Sequence, residues 1–178
     1  ANPNHVFKFA YNEAYRVPSL GDLYDEESGL VEGNQTLKPT ILKSAELNYQ
    51  YISPEVFFST TLFENQISDL IGFDTSGNIS QLANISNNKA TGLENEWRWH
   101  LTQQWQIHGH FSHLFHNHSK VDSNAMLLPS ELLAPKSYGV LGLSWQPNDS
   151  WQVNILQHWR SRIRSLSEQK SLALTAAN

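Results

Sequence analysis

The stretch that decides the fold runs from Ala90 to Phe115 and has the sequence ATGLENEWRWHLTQQWQIHGHFSHLF. Apolar and polar side chains alternate along it on both sides of a short polar segment, Thr102 to Gln104. Such alternation is typical of a β-strand with one apolar face and one polar face. The stretch therefore predicts two antiparallel strands, Ala90 to Leu101 and Trp105 to Phe115, joined by a tight turn.

A turn at this place also predicts the register of the hairpin. Trp97 would lie opposite Gly109, so that its large ring covers the glycine. On the polar face, Arg98 would lie opposite His108, and Glu96 opposite His110. We expect this pairing to give each ionisable side chain a partner on the neighbouring strand.

Five further segments complete a prediction of seven strands. They are His5 to Tyr11, Leu42 to Tyr51, Val56 to Phe73, Tyr138 to Trp145 and Trp151 to Arg160. The segment Ile79 to Asn88 is interpreted as a frayed start of the strand that continues from Ala90. The alternation in Val56 to Phe73 breaks near Glu64 and Asn65, so its faces are not assigned.

The connections differ in length in a regular way. Short turns fall at residues 53–54, 102–104 and 147–149, whereas residues 12–40 and 118–136 form long polar connections. Aromatic residues crowd the short turns: Tyr49, Tyr51, Phe57, Phe58, Trp97, Trp99, Trp105, Trp145 and Trp151. Strands of about 9 to 11 residues with an aromatic girdle at one interface indicate an antiparallel transmembrane β-barrel.

Composition excludes several other classes of protein. The net charge of the 178 residues is −5, which argues against nucleic-acid binding. The absence of cysteine excludes disulfides and thiolate metal sites. No stretch approaches the roughly 18 consecutive apolar residues of a transmembrane helix. Nucleophile motifs and phosphate-binding loops are also missing, so neither an enzyme nor a cofactor is predicted.

The two ends of the long connection at residues 12–40 carry recognisable motifs. Tyr15-Arg16-Val17-Pro18, followed by Gly33-Asn34 and Leu37-Lys38-Pro39, resembles the Phe-Arg-Ala-Pro and Asn-Pro-x-Leu-Lys-Pro-Glu signatures of TonB-dependent outer-membrane receptors. The sequence departs from these signatures at Tyr15, Val17, Gln35 and Thr40. The similarity continues through Glu46-Leu47, residues 62–71, Asn84, Gly92-Leu93-Glu94 and Ala134-Pro135-Lys136.

This resemblance implies a barrel of about 22 strands with an N-terminal plug, in the outer membrane of a Gram-negative bacterium. Residues 1–178 would be a partial barrel domain of about seven strands from the C-terminal half, with the plug and the last strands outside it. The implied function is import of an iron chelate such as a siderophore, a vitamin or a similar scarce solute. The implied partners are outer-membrane lipid, the solute, and TonB through the plug. The segment alone is not expected to transport.

Candidate substrate-binding residues fall into two groups. Tyr24, Asp25, Glu26 and Glu27 lie in the first long connection, which the resemblance makes an external loop. His108, His110 and Arg160 lie on polar strand faces, which would line the lumen and could steer a charged solute. No histidine lies between Pro18 and Asn34, where heme receptors of this family are expected to carry one, so heme is disfavoured.

A metal site is a competing interpretation of the histidines. His108 and His110 are two apart on one strand face, and His100, His116 and His118 share their even spacing. Ordinary polar lining of a water-filled lumen is the favoured interpretation, so no metal site is predicted. His113 has the outward spacing and is expected at the membrane interface. The Pro18 and Pro39 motifs are interpreted as structural, since proline restricts the path of a loop.

Two other classes of protein stay open at this stage. One is a small eight-stranded structural or adhesive barrel, for which 178 residues would suffice. The other is a soluble all-β binding module that buries its aromatic faces as a core. A requirement for detergent would separate the soluble module from both barrels.

Overall fold

The computed structural model describes residues 4–27, 31–77, 79–121 and 135–162. In these residues it contains seven long strands, two very short strands and one short helix. The elements are β1 His5–Arg16, α1 Leu20–Tyr24, β2 Glu26–Glu27, β3 Val31–Glu32, β4 Thr40–Ile52, β5 Val56–Asp74, β6 Ser80–His100, β7 Trp105–Val121, β8 Ser137–Asn148 and β9 Trp151–Arg160.

The long strands form one antiparallel sheet in the order β1-β4-β5-β6-β7-β8-β9. Each of them pairs with the next long strand along the chain, so the sheet is a simple meander. Within the described ranges β1 and β9 each pair on one side only, and the sheet is open. The predicted class, an all-β antiparallel fold with seven main strands, is confirmed.

The predicted register of the β6–β7 hairpin is also confirmed. Trp97 lies opposite Gly109, Arg98 opposite His108 and Glu96 opposite His110. The Leu101 N–H donates to the Trp105 carbonyl at 2.9 Å, which closes the hairpin.

Several strands are longer than the sequence pattern predicted. β1 continues to Arg16, β4 begins at Thr40, β7 continues to Val121, and residues 80–100 form one strand. The seven long strands have 10 to 21 residues rather than about 9 to 11. The interpretation of residues 12–16 and 118–121 as loop was therefore wrong. Backbone hydrogen bonds continue the ladder after the apolar alternation has stopped.

The register explains where the alternation stops. The face of the sheet that carries Leu47, Leu62 and Leu93 in one row is called the outer face. Two residues further from the short turns, the same face carries Ala45, Glu64 and Thr91, and then Lys43, Gln66 and Lys89. Both faces are polar in this region, so the pattern of β5 breaks at Glu64 although the strand continues.

The sheet buries very little in the part of the chain that the structure describes. The only apolar side chains below 9% exposure there are Ile85 and Val140. Large apolar side chains of the outer face are open, among them Phe7 at 72% and Leu62 at 48%. Because a soluble sandwich would cover such a face with a second sheet, this arrangement disfavours the soluble module.

The connection between β1 and β4 is not the plain polar loop that the sequence suggested. It contains α1, whose Ser19 and Asp22 form a capping box: the Asp22 N–H donates to Ser19 Oγ at 3.0 Å, and the Ser19 N–H donates to the Asp22 carboxylate at 2.9 Å. After α1, β2 pairs with β3, and β3 runs parallel to the start of β6 with Val31 opposite Ser80. The connection is therefore folded back onto β6.

Candidate functional site

A hollow of about 1030 Å³ lies against the face opposite the outer face, here called the inner face. Strands β5 to β8 supply most of its wall. Its polar and ionisable lining includes Ser59, Thr61, Asn65, Glu94, Glu96, Arg98, Gln106, His108, His110 and Tyr138. This wall can offer hydrogen-bond donors, acceptors and charges of both signs to a polar solute.

Arg98 and His108 line the hollow close to the β6–β7 turn, but they do not form the expected side-chain pair. The Arg98 guanidinium carbon lies 5.7 Å from the centroid of the Phe57 ring, within range of a cation–π interaction. The His108 ring lies over Gly142, where a Cβ atom would be only 2.5 Å from its Cε1. His108 Nδ1 is buried and has no hydrogen-bond partner among the described residues.

His110 on β7 and Arg160 on β9 share the inner face with β8 between them, and of the two only His110 lines the hollow. The His110 ring packs against Tyr138 with centroids 5.1 Å apart, and Tyr138 lies opposite Arg160 in the ladder. The ion pairs found in the described ranges are Arg16–Asp22, Glu13–Lys43 and Glu64–Lys89. None of these involves Glu96 or His110, so the register was predicted correctly but the charge pairing was not.

The four loop candidates occupy consecutive positions after α1. Tyr24 ends the helix and is 59% exposed. The Asp25 N–H donates to the Gly21 carbonyl at 2.9 Å, and the Asp25 carbonyl accepts from Gly33 at 2.7 Å. Glu26 and Glu27 form β2. Neither Tyr24 nor Asp25 lines the hollow, so the two groups of candidates remain separate predictions.

Two asparagines that received no role from the sequence bind the connection between β1 and β4 to the sheet. Asn84 Oδ1 accepts from the Lys38 N–H at 2.9 Å, and its Nδ2 donates to the Lys38 and Asp69 carbonyls at 3.0 and 2.8 Å. Asn34 Nδ2 donates to the Leu82 carbonyl at 2.9 Å. The sequence analysis attributed the path of the Pro39 motif to proline geometry alone. In the structure, the side-chain amides of Asn34 and Asn84 also fix the position of this motif on β6.

A β-bulge separates the histidines that a metal site would need. Gly92 pairs with Leu114 but Thr91 pairs with His116, which leaves Phe115 as the extra residue. His116 and His118 consequently lie on the outer face, while His108 and His110 lie on the inner face. In the described ranges, no group of three potential metal-ligating side chains lies close enough together to hold an ion.

His113 lies on the outer face, within an aromatic group far from the short turns. Its Nδ1 is 2.7 Å from Ser137 Oγ, and its ring is 6.1 Å from Phe111 and 5.6 Å from Phe115 between centroids. Phe111 in turn stacks on Trp159 at 5.3 Å. Aromatic side chains therefore lie near both ends of the apolar region, and not only near the short turns as the sequence suggested.

The sheet and its two faces define a segment of β-barrel wall, polar inside and apolar outside. The family model described as "TonB dependent receptor-like, beta-barrel" matches residues 1–175. The chain belongs to this family, as its motifs predicted. The family consists of receptors and transporters rather than enzymes. No helix in the described residues is long and apolar enough to cross a membrane.

Solved structures of similar fold include three named transport proteins. A mutant of the ferric enterobactin receptor PfeA from Pseudomonas aeruginosa has 18% identity and a TM-score of 0.69, over 89% of this chain and 26% of that chain. The FrpB iron transporter from Neisseria meningitidis has 16% identity and a TM-score of 0.66, over 89% and 24%. The copper transporter OprC has 19% identity and a TM-score of 0.65, over 89% and 25%. The chain thus spans about a quarter of their length.

Proposed function

We propose that the chain is part of the wall of an outer-membrane receptor that imports a scarce solute, such as an iron or copper chelate, with energy supplied through TonB. The observation that carries this proposal is the two-faced sheet, with an apolar outer face and a polar hollow, in a chain that matches the receptor family over residues 1–175. The similar solved proteins are named for ferric enterobactin, iron and copper.

The candidate residues have separate roles in this proposal. Tyr24, Asp25, Glu26 and Glu27 contact the solute at the external mouth. Arg98, His108, His110 and Arg160 line its passage on the inner wall. Their mixed charge suits polar chelates, because cationic and neutral donors alternate with the Glu94 and Glu96 carboxylates on the same face.

The rest of the transport machinery would lie in parts of the receptor outside residues 1–178. We infer that this segment is a partial barrel domain from the C-terminal half and that plug and TonB-contacting segments belong to the complete protein. In the described residues the sheet leaves β1 and β9 paired on one side only, and unpaired strand edges are not stable in lipid. The segment alone therefore does not transport.

Uptake of radiolabelled ferric chelates and of copper by cells that express the complete receptor tests the proposal. We expect uptake of at least one of these solutes to require both the receptor and TonB. The control is a strain without TonB, in which receptor abundance in the outer membrane is unchanged but uptake is lost. Receptor-specific uptake that continues without TonB would contradict the proposed mechanism.

The polypeptide extracted from outer membranes with detergent gives a second, independent measurement. We expect an intact mass several times the 20.3 kDa of this chain. A native mass equal to 20.3 kDa would instead favour the small structural or adhesive barrel and would remove the basis for the transport proposal.

A further inference from the structure

The β5–β6 pair contains two consecutive irregularities, with Leu70 paired to Ser86 between them. The pairs on either side of the irregularities follow one common register: Ile67–Asn88 and Ile71–Asn84. Three residues of each strand lie between these two pairs, so the second irregularity cancels the first. We propose that residues 68–70 and 85–87 form a two-state joint, which exchanges this bulged pairing for a regular ladder, and that the connection between β1 and β4 selects the bulged state.

A regular ladder can form in the joint while both flanking pairs stay in place. It would pair Asp69 with Ser86 and Leu70 with Ile85, because each strand has the same number of residues between the flanks. In the described residues β4 pairs with β5 no further than Ser68, and β7 pairs with β6 no further than Ser86. Neither neighbouring strand therefore has to change its own register when the joint changes its pairing.

Asp69 is strained in the bulged state. Its φ is 56°, and it is the only non-glycine residue with a positive φ in the part of the chain that the structure describes. The left-handed conformation is unfavourable for a residue that carries a Cβ atom, although aspartate tolerates it better than most. A regular ladder returns Asp69 to the extended conformation, so this strain favours the regular state.

Ser86 is unfavourable in the bulged state for a second reason. It is 3% exposed, and its Oγ has no hydrogen-bond partner among the described residues. A buried hydroxyl without a partner costs free energy. In the regular ladder Ser86 lies directly opposite Asp69, where its hydroxyl can donate to the carboxylate. One change of pairing therefore relieves both unfavourable features.

Three side chains offset these costs by holding the backbone of Asp69. The Asp69 N–H donates to Asn87 Oδ1 at 3.0 Å. The Asp69 carbonyl accepts from Thr40 Oγ1 at 3.0 Å and from Asn84 Nδ2 at 2.8 Å. In the bulged state Asp69 has no partner in the β5–β6 ladder, so these side chains replace the ladder bonds that it would make in the regular state.

The connection between β1 and β4 controls two of these three bonds. Thr40 directly follows the connection, and Asn84 also bonds the Lys38 N–H and carbonyl within it. Movement of the connection away from β6 therefore releases the joint and favours the regular state. In the proposed function Tyr24 and Asp25 on the same connection contact the solute, so solute binding and the pairing of the joint are coupled. Only this coupling to the solute rests on the proposed function.

Disulfide trapping in a cysteine-free form of the complete receptor measures the state of the joint. The pair L70C/I85C reports the regular state, because directly opposite positions of a ladder allow a disulfide. In the bulged state Ile85 packs over Gly72 instead, where a Cβ atom would lie 2.9 Å from Ile85 Cγ1. The pair L70C/S86C reports the bulged state, and T61C/E94C is a control in the regular wall.

Two substitutions of Asp69 shift the joint in opposite directions, and both remove the carboxylate. The D69G backbone accepts the left-handed conformation, whereas the β-branched side chain of D69T resists it. We expect L70C/I85C to crosslink about tenfold faster in D69T than in D69G, and L70C/S86C to crosslink more slowly. T61C/E94C should crosslink equally in both.

Thr40→Val tests the control by the connection. It removes the hydroxyl that donates to the Asp69 carbonyl, so L70C/I85C should crosslink about fivefold faster than in the parent receptor. Thr36→Val is the matched control, because the Thr36 hydroxyl bonds to Asn34 instead. A ferric chelate that the receptor takes up should slow the same crosslink, because solute contact keeps the connection in place.

Several outcomes would overturn the inference. Equal crosslinking of L70C/I85C in D69T and D69G excludes the two-state joint, and equal effects of T40V and T36V exclude its control by the connection. L70C/S86C gives the same comparison, with the opposite sign, if the first pair does not fold. Absence of TonB-dependent uptake in the parent receptor refutes the proposed function but leaves the trapping results valid, whereas an unchanged crosslinking rate with a transported ferric chelate refutes only the coupling to the solute.

Discussion

At Gly109 two groups, the Trp97 ring and the Val140 carbonyl, approach the backbone so closely that no side chain fits. A Cβ atom at this position would lie 2.7 Å from Cζ2 of Trp97 and would clash with the Val140 carbonyl. The ring of Trp97 takes the space that a side chain would occupy, on the face of the sheet that carries no second layer in the described residues. The glycine is required for this close approach across the β6–β7 pair.

Replacement of Gly109 by alanine should therefore destabilise the receptor. We expect Gly109→Ala to lower the free energy of unfolding by about 1 to 3 kcal/mol, the usual range for overpacking. Denaturant unfolding in detergent, followed by circular dichroism, measures the change. The control is Gly77→Ala, where the nearest atom to a Cβ would be 3.4 Å away. Equal losses in both variants would show that the contact with Trp97 is unimportant.

The sequence identified some residue contacts and missed others for a physical reason. Trp97 could be placed on Gly109 because a short turn fixes the register of a hairpin. The similar contact of Trp159 with Gly139, 2.6 Å from Cε2 to an added Cβ, was not predicted. The outward positions of His116 and His118 were also missed, because a one-residue bulge reverses the faces and leaves no clear signal in a polar segment.

At the scale of elements, the sequence pattern predicts the strands but not where they end. Alternation between apolar and polar residues located all seven long strands, but it ends where the outer face becomes polar at Glu64 and Lys43. The strands β2 and β3 have only two residues each, too few for any periodicity. α1 could have been found from its sequence, because Ser19 and Asp22 have capping-box spacing.

The connection between β1 and β4 is held by Asn84, whose side chain bonds the backbone N–H and carbonyl of Lys38 in place of a neighbouring strand. We expect Asn84→Ala to raise hydrogen exchange at the Lys38 amide about tenfold, since one hydrogen bond contributes about 1 kcal/mol and an unpaired group costs more. Exchange detected by mass spectrometry at residues 33–39 measures this. Asn88→Ala is the control on the same strand, since Asn88 bonds to Asn117 and Ser119 instead. Equal protection in both variants would contradict this role of Asn84.

At the scale of the whole molecule, the two faces of one sheet have to satisfy two different solvents. Leu47 and Leu62 of the outer face are about half exposed, at 50% and 48%, in a sheet with almost no buried core in the described residues. The sheet that these residues form has too little buried apolar surface for an independent soluble domain. Lipid on one side and a wet interior on the other remove this difficulty, because the exposed apolar area then lies in hydrocarbon.

A single pair of neighbouring residues can test this assignment of the faces. Leu62 lies on the outer face in the apolar row, and Thr61, its neighbour on β5, lines the hollow. We expect Leu62→Arg to reduce folding into vesicles by about 2 to 4 kcal/mol, because an arginine near the bilayer midplane loses its hydration. Thr61→Arg adds the same charge at the same height but keeps it in water, so it should fold almost normally. The fraction of protein that folds into vesicles, measured at increasing urea concentrations, gives both effects. A larger loss for Thr61→Arg than for Leu62→Arg would mean that the inner and outer faces are reversed.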